Sequence, residues 1–489
     1  MRACRHRLRR TLYRRRRVPV LKVRLSFLVV VATLGAALIP RAVEAACPST
    51  PPLYLTLRYE EDYSFLRDAA CRSDVWDPVK YIALDREGSA YVSFGADARL
   101  RYEYFHNSLW GRGVQDSNGY VLQRYLLHGD LQAGPYLRLF AQFQSSLEEG
   151  RAGGPRATDE DTLEVNQAFL DLIAPLSHSD SLTLRAGRQE ISYGSQRLVS
   201  VRESPNVRQT FDALRLILAV DSWRIDGFVS RPVQIEPGVF DDERDSERAF
   251  WGVYATGPLP VLPTGHTDLY YLGLQNDAGR FDQGIAREVR HTIGTRLWGR
   301  PGDWDYNVEL IYQWGSFGRG DISAWGAASD TGYTFRAAPL RPKLGLRANI
   351  NSGDRNPRDA DLQTFNALFP KGAYFGEIAI LGPANLFDVH PYIEVRITER
   401  VGVAVDMDSF YRQSDRDGIY SPAGGLLRSG RVSQASHVGE QVAIQPEWRI
   451  DRHLSLTANY THFFAGRFLR ETGPGKEIEF VAAWAQYRF

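Results

Sequence analysis

From Ala90 onward the dominant period of hydrophobic and polar positions along the chain is two. Trp304 to Trp314 shows it most cleanly. Trp304, Tyr306, Val308, Leu310, Tyr312 and Trp314 share one face, while Asp305, Asn307, Glu309 and Gln313 share the other. Strict alternation marks a strand with one apolar face, and aromatics at both ends of that face suit a lipid-facing band between two interfacial girdles. Ser93 to Glu103 repeats the logic, with Phe94, Ala96, Ala98, Leu100 and Tyr102 set against Asp97, Arg99, Arg101 and Glu103. So does Lys343 to Asn351, where Leu344, Leu346, Ala348 and Ile350 oppose Lys343, Arg347, Asn349 and Asn351.

A half-buried strand of a soluble sandwich alternates in the same way, so one segment decides nothing and the count decides. The pattern predicts strands over 90–105, 120–132, 136–148, 163–173, 181–189, 211–220, 223–231, 248–256, 267–275, 288–298, 304–314, 322–335, 343–351, 386–397, 401–412, 437–450, 454–464 and 477–489, which makes 18. Connections after odd-numbered strands are mostly long and rich in Asp, Arg and Gly, as at 150–161, 241–247, 351–385 and 413–436. Those after even-numbered strands are mostly short, as at Ala133-Gly134-Pro135, Asp221-Ser222 and Asp451-Arg452-His453. Such sorting predicts an all-β, transmembrane, antiparallel up-and-down β-barrel with long extracellular loops and short periplasmic turns. Val481, Ala483, Ala485, Tyr487 and Phe489 share one face of the final segment, an apolar-alternate ending of the kind by which outer-membrane barrels are recognised for insertion.

Composition agrees. Only 43% of the 489 residues are hydrophobic and the mean hydropathy is −0.33, so there is no set of apolar 20-residue helices. The chain is nonetheless aromatic-rich, with 24 Tyr, 24 Phe and 10 Trp. A basic tract at Arg14 to Arg17, the short apolar run Leu25 to Ile39, the breaker Pro40 and a small-residue site before Ala46 read as a signal peptide over 1–45. Residues 46–88 lack clean alternation and are expected to form a periplasmic segment or a plug in the lumen pinned by Trp76 and Tyr81, ahead of a barrel over 89–489. The leader holds 12 of the 59 Lys and Arg but one of the 58 acids, Glu44, so the remainder is net acidic at −10 and nucleic acid is not an expected partner. Cys4 falls in the leader. That leaves Cys47 and Cys71 as an expected disulfide in an oxidising compartment, the outer membrane of a Gram-negative bacterium.

Eighteen strands enclose a lumen too wide for side chains alone to fill, so it is a channel or is plugged. The inward positions carry Arg99, Arg101, Arg124, Arg138, Arg185, Arg347, Arg396, Arg449 and Arg488, interleaved with Asp97, Asp130, Asp171, Glu309 and Glu394. A ring of arginines at a constriction attracts anions. A ladder of cross-strand ion pairs only stiffens the wall. Both readings stay open on the sequence. His128 and Asp130 have no serine tied to them by motif, and the histidines show no metal spacing, so neither an enzyme nor a cofactor is expected.

Several strings add a resemblance. They include Arg58-Tyr-Glu-Glu-Asp-Tyr-Ser64, Trp76-Asp-Pro-Val-Lys-Tyr81, Ala186-Gly-Arg-Gln-Glu190 and Arg197-Leu-Val-Ser-Val-Arg202. Phe240-Asp-Asp242, Leu381-Gly-Pro-Ala-Asn-Leu386, Phe410-Tyr-Arg-Gln413 and Thr461-His-Phe-Phe-Ala-Gly466 continue the series. In this order the chain resembles the alginate export family of outer-membrane proteins from about Arg58 to Phe489. That resemblance implies a barrel exporting a polyanionic polysaccharide through an arginine-lined pore, with Arg188 and Arg412 matching basic lumen positions. Two features depart from the alginate-dedicated members: the turn Asp451 to His453 is tiny where they carry a long one, and Ser455, Thr457 and Asn459 stand where they are richer in arginine. The expected function is therefore diffusion of an alginate-like anionic polysaccharide through a monomer in outer-membrane lipid, with periplasmic polysaccharide-export proteins as further partners. A general or nutrient-uptake porin is the first alternative. A non-conducting surface receptor or adhesin is the second.

Overall fold

The structure, a computed structural model, describes residues 47–48, 52–177, 179–262 and 264–489. The leader expected over 1–45 lies outside the described residues. Eighteen strands close into one antiparallel barrel. They are β1 (Ala90–His106), β2 (Tyr120–Ala133), β3 (Leu137–Glu149), β4 (Asp161–Pro175), β5 (Ser181–Gln189), β6 (Phe211–Val220), β7 (Trp223–Gln234), β8 (Arg248–Pro258) and β9 (His266–Phe281). The second half comprises β10 (Gly284–Gly299), β11 (Trp304–Phe317), β12 (Gly320–Thr334), β13 (Lys343–Asn351), β14 (Leu386–Arg396), β15 (Val401–Arg412), β16 (His437–Arg449), β17 (Leu454–Ala465) and β18 (Ile478–Arg488). Each strand pairs with its neighbours in sequence, and β1 pairs with β18 from Asp97↔Arg488 to His106↔Glu479. Closure leaves no backbone N–H or C=O unpaired at a sheet edge, which the hydrocarbon of a bilayer would penalise by several kcal/mol per group.

The period of two maps onto the two faces. Leu100 and Leu310 are each 54% exposed on the outer face, whereas Arg124 and Gln313 on the inner face are 0% exposed. Two connections are much shorter than the pattern predicts. β9 and β10 continue through the expected loop to a hairpin at Asp282-Gln283, and β11 and β12 do the same at Gly318-Arg319. Charged and glycine residues such as Arg280, Gly284 and Gly320 hide these extensions from the alternation, because above the membrane neither face needs to be apolar.

Two of the long loops fold inward. The β5–β6 loop (190–210) buries Ile191, Val199, Val201 and Val207 at 1% exposure or less. The β13–β14 loop (352–385) buries Phe365 and Phe369 against Phe211, Phe250 and Ile311 of the wall, and Phe375, Ile378 and Ile380 in a second cluster with Leu122, Phe105 and Phe480. The two loops meet at a parallel bridge between Val199 and Phe369. Apolar side chains on a connection must be buried somewhere, and the apolar residues of the inner wall supply the nearest surface.

From the opposite rim, residues 52–88 add a further insert. Tyr59 is 2% exposed, packed edge-on to Phe140 and Phe169, and donates to the Glu190 carbonyl at 2.9 Å. Trp76 stacks on Phe489 with centroids 3.9 Å apart and donates to the Tyr487 hydroxyl at 2.8 Å. Arg58 donates to the Phe489 carbonyl at 2.6 Å and the Ala96 carbonyl at 3.0 Å. Tyr81 donates to the Gly88 carbonyl at 2.8 Å and packs on Tyr91, fixing the approach to β1. Cys47 and Cys71 form a disulfide with Cα atoms 5.2 Å apart.

Candidate functional site

The inward arginines fall into two groups. On β1, β2 and β18 they converge on one acid of the β5–β6 loop. Arg124 donates to Glu203 Oε1 at 2.5 Å and to its carbonyl at 2.9 Å, while Arg99 donates to the Glu203 and Pro205 carbonyls at 2.8 and 2.9 Å. Arg488 bonds Asp97 at 2.8 Å and lies 3.6 Å from Glu203, and Arg208 pairs with both Glu203 and Glu190. Burial raises the Glu203 carboxyl, but Arg124, Arg208, Arg99 and Arg488 outweigh it and hold the group well below the usual carboxylate range. Arg101 bridges Glu103 at 2.6 Å to Glu377 of the β13–β14 loop at 2.7 Å. These arginines fasten a loop to a wall.

Further along the same side the pairs are between strands. Arg185 grips Asp171 through two bonds of 2.7 and 2.8 Å, directly opposite it in the β4–β5 register. Arg138 grips Asp130 at 2.7 and 2.6 Å. Arg188 follows Gly187, whose φ of +131° and close approach to the Ala168 carbonyl leave no room for a Cβ, and it pairs with Asp212 at 3.0 Å and Glu164 at 3.5 Å. All face inward, but their charges are already matched. Arg412, matched by resemblance to a basic lumen position, is 3% exposed at the extracellular end of β15. There it donates to the carbonyls of Asp417, Ser433 and Ala435 and lies 4.0 Å from the Phe468 ring centroid. It therefore secures the β15–β16 loop and does not line an open passage. The motif string caught the arginine and not its partners, which lie five to 23 residues onward in the following loop.

The opposite wall differs. Around the periplasmic mouth of β12 to β16 lies a cavity of about 540 Å³ lined by Lys343, Arg396, Arg400 and Arg449 together with Glu394 and Glu447. Arg449 and Glu447 pair at 3.1 Å with side chains 61% and 41% exposed. Arg347, above the Tyr392 ring at 4.2 Å, pairs loosely with Asp330 at 3.4 Å and Glu394 at 4.0 Å. Arg396 makes no ion pair among the described residues and is exposed. Glu309, higher on the wall, accepts from Arg197 at 2.9 Å and Tyr270 at 2.7 Å.

Between the two infolded loops is a second cavity of about 240 Å³ lined by Arg202, Ser204, Gly372 and Glu377. Arg202 sits at φ +56°, an unusual backbone conformation for a side-chain-bearing residue, and has no ion-pair partner among the described residues. Lys371, beside Gly372, likewise has none; burial first, then Arg197 and Arg347, lower its ammonium to about 8. Reading strands for inward charges misses Arg197, Arg202, Glu203, Lys371 and Glu377, because all five are on loops. A signal was present: connections as apolar as Ile191 to Val207 and Phe365 to Leu381 belong inside.

Known structures share this architecture. Pseudomonas aeruginosa OccD3 (OpdP) matches with a TM-score of 0.56 and 10% identity, over 84% of this chain and 93% of that one. A BenF-like porin from Pseudomonas fluorescens Pf-5 matches with a TM-score of 0.55 and 11% identity, over 81% and 98%. Pseudomonas aeruginosa OpdK, solved with vanillate, matches with a TM-score of 0.51 and 11% identity over the same shares. At such identities the likeness is one of fold. No curated protein sequence matches the chain. The family profile described as alginate export matches residues 90–482, the barrel almost from end to end. The chain is thus a porin-like barrel of the Gram-negative outer membrane and belongs to the alginate export family.

Proposed function

We propose that the protein is a channel for an anionic polysaccharide or oligosaccharide of the alginate type, which moves along the β12–β16 side of the lumen. The observation that carries this reading is the exposure of the cations there. Half-exposed pairs such as Arg347–Asp330 and Arg449–Glu447 are each worth about 0–1 kcal/mol. A passing carboxylate can therefore replace the protein's own acid at little cost. Arg396 joins the series at the periplasmic mouth, and Lys371 and Arg202, which like it have no ion-pair partner among the described residues, continue it on the infolded loops. Many weak sites in sequence allow entry without trapping, as conduction requires. Arginine suits the task because its planar fork meets carboxylates two bonds at a time.

The test is the reversal potential in planar bilayers under a salt gradient, repeated with uronate oligomers. Anion preference and a concentration-dependent block by the oligomers are the expected results. Cation preference indifferent to them would sink the proposal. A second reading, uptake of small carboxylates, is favoured by one observation: the cavity between the infolded loops is about 240 Å³. Liposome swelling discriminates, since a small-solute porin admits a uronate monomer and excludes an oligomer of four or more sugars.

A further inference from the structure

Where the extracellular end of β15 meets the flanking loops lies a polar groove of about 550 Å³. Its lining includes Arg355 of the β13–β14 loop, Arg412 at the end of β15, and Asp415, Arg416, Gln434 and Ser436 of the β15–β16 loop (413–436). Three arginines thus stand against one acid. Arg355 and Arg416 are exposed, and neither has an ion-pair partner among the described residues. Arg416 Nη1 donates to the Arg355 carbonyl at 3.2 Å, which joins the two loops across the groove.

Arg412 adds a buried charge behind the wall. It is 3% exposed and donates to the carbonyls of Asp415 at 3.0 Å, Asp417 at 2.8 Å, Ser433 at 2.8 Å, and Ala435 at 3.0 and 2.6 Å. A guanidinium has five N–H donors. All five are taken by backbone dipoles, and no carboxylate bonds to the group among the described residues. A buried charge without a counter-ion is costly, and an anion held in the groove supplies one.

The groove lies on the lipid side of the wall. Gln413, also in its lining, continues the outward face of β15 two residues beyond Tyr411. Tyr411 packs with Phe387 and His437 at centroid distances of 6.1 and 5.2 Å, an outward aromatic cluster of the kind found at a membrane–water interface. Below it Met407, Val442 and Ile444 are 45%, 38% and 43% exposed on the outer wall. A lipid with its chains on those three residues carries its headgroup past Tyr411 to the groove. The outer leaflet of a Gram-negative outer membrane is built of phosphorylated glycolipid. Arginine's planar fork meets phosphate two bonds at a time. Gln434 and Ser436 are exposed, with side chains that make no hydrogen bond among the described residues, and they match sugar hydroxyls.

We propose that this groove binds the phosphorylated sugar headgroup of an outer-leaflet glycolipid, with Arg355 and Arg416 on the phosphate and Gln434 and Ser436 on the sugar. The site depends on the outer-membrane location and is independent of the lumen reading.

Native mass spectrometry of the full-length protein, released from detergent micelles supplied with one lipid at a time, tests it. The probes are diphosphoryl lipid A, the same lipid with its phosphates removed, and phosphatidylglycerol. The expected result is one retained diphosphoryl lipid A per chain, with each of the other two retained about tenfold less. The double variant Arg355→Ser/Arg416→Ser should lower retention of diphosphoryl lipid A about tenfold. Gln434→Glu, a near-isosteric surface change that sets a second acid in the groove, should lower it about fivefold and keeps the test decisive where the double variant fails to fold. Equal retention of the three lipids, or wild-type retention by either folded variant, would overturn the proposal. So would displacement of lipid A by inorganic phosphate, which marks a free-phosphate site, or by uronate oligomers, which assigns the groove to the polysaccharide.

Discussion

The wall from β1 to β7 and the wall from β12 to β16 carry arginine and carboxylate at equivalent inward positions, yet use them in opposite ways. On the first wall Arg185–Asp171 has side chains 5% and 3% exposed, and Arg124 beneath Glu203 is at 0%. On the second, Arg347–Asp330 stands at 38% and 29%, and Arg449–Glu447 at 61% and 41%. The β5–β6 loop and the 52–88 insert explain the contrast, since they lie against the first wall, whereas the β13–β14 loop meets the second wall at that wall's extracellular end, at Phe410 and Gln441, and the wall's periplasmic end faces the 540 Å³ mouth. An inward arginine is therefore a locking group or a transport group according to what covers it.

The strongest way to break this comparison is to remove a locked cation. Arg185→Met strands Asp171 in a buried site, and the expected loss is about 3–5 kcal/mol of stability by urea unfolding from lipid vesicles. Adding Asp171→Leu should restore most of it; a double variant no better than the single would show that the pair is not acting as a buried unit. Next in size is Glu203→Gln, which releases Arg124, Arg208 and Arg488 from their shared carboxylate and leaves the bonds of Arg99 to the backbone carbonyls in place. Single-channel conductance and anion preference should both rise several-fold, and unchanged values would mean the β5–β6 loop is held by its apolar residues alone.

A smaller effect is set by pH. Lys371 is a cation below about 8 and neutral above it, so anion preference should fall as pH is raised through that value, and Lys371→Met should flatten the profile. The linked stability runs the other way. The folded ammonium lies below its unfolded value of 10.5, so the unfolded chain binds more protons between about 8 and 10.5, and stability should increase with pH across that window. Smallest of all is the stability cost of Arg449→Gln on the open wall, expected within about 0.5 kcal/mol. Its reduction of oligomer block in bilayers should nevertheless be measurable, and a large loss of stability instead would place Arg449 among the locking residues.

The barrel was legible because hydrocarbon on one side and water or protein on the other impose the same two-residue rule on every strand. Trp304 to Trp314 carries that rule so plainly that its faces are assigned residue by residue. The rule lapses above the membrane, where β9 runs on to Phe281 through Asp277 and Arg280 with no apolar face to mark it. It is also silent about coverage. Arg347 and Arg185 look alike in sequence, and only the path of 190–210 and 352–385 tells them apart. Loop residues such as Glu203 and Lys371 obey no period, so their positions follow from packing of Val199 on Phe369 and its neighbours and not from any local pattern.

The grip of Arg58 and Trp76 on Phe489 and Ala96 sets an order of events. Phe489 belongs to the end of the last strand and Ala96 to the first, so the seat for residues 52–88 exists only once those two strands have met. The insert therefore docks last, after the ring is complete, although it is made before any strand of the ring. Its arrival inside the periplasmic mouth is a signature of finished assembly, which an unclosed intermediate cannot counterfeit.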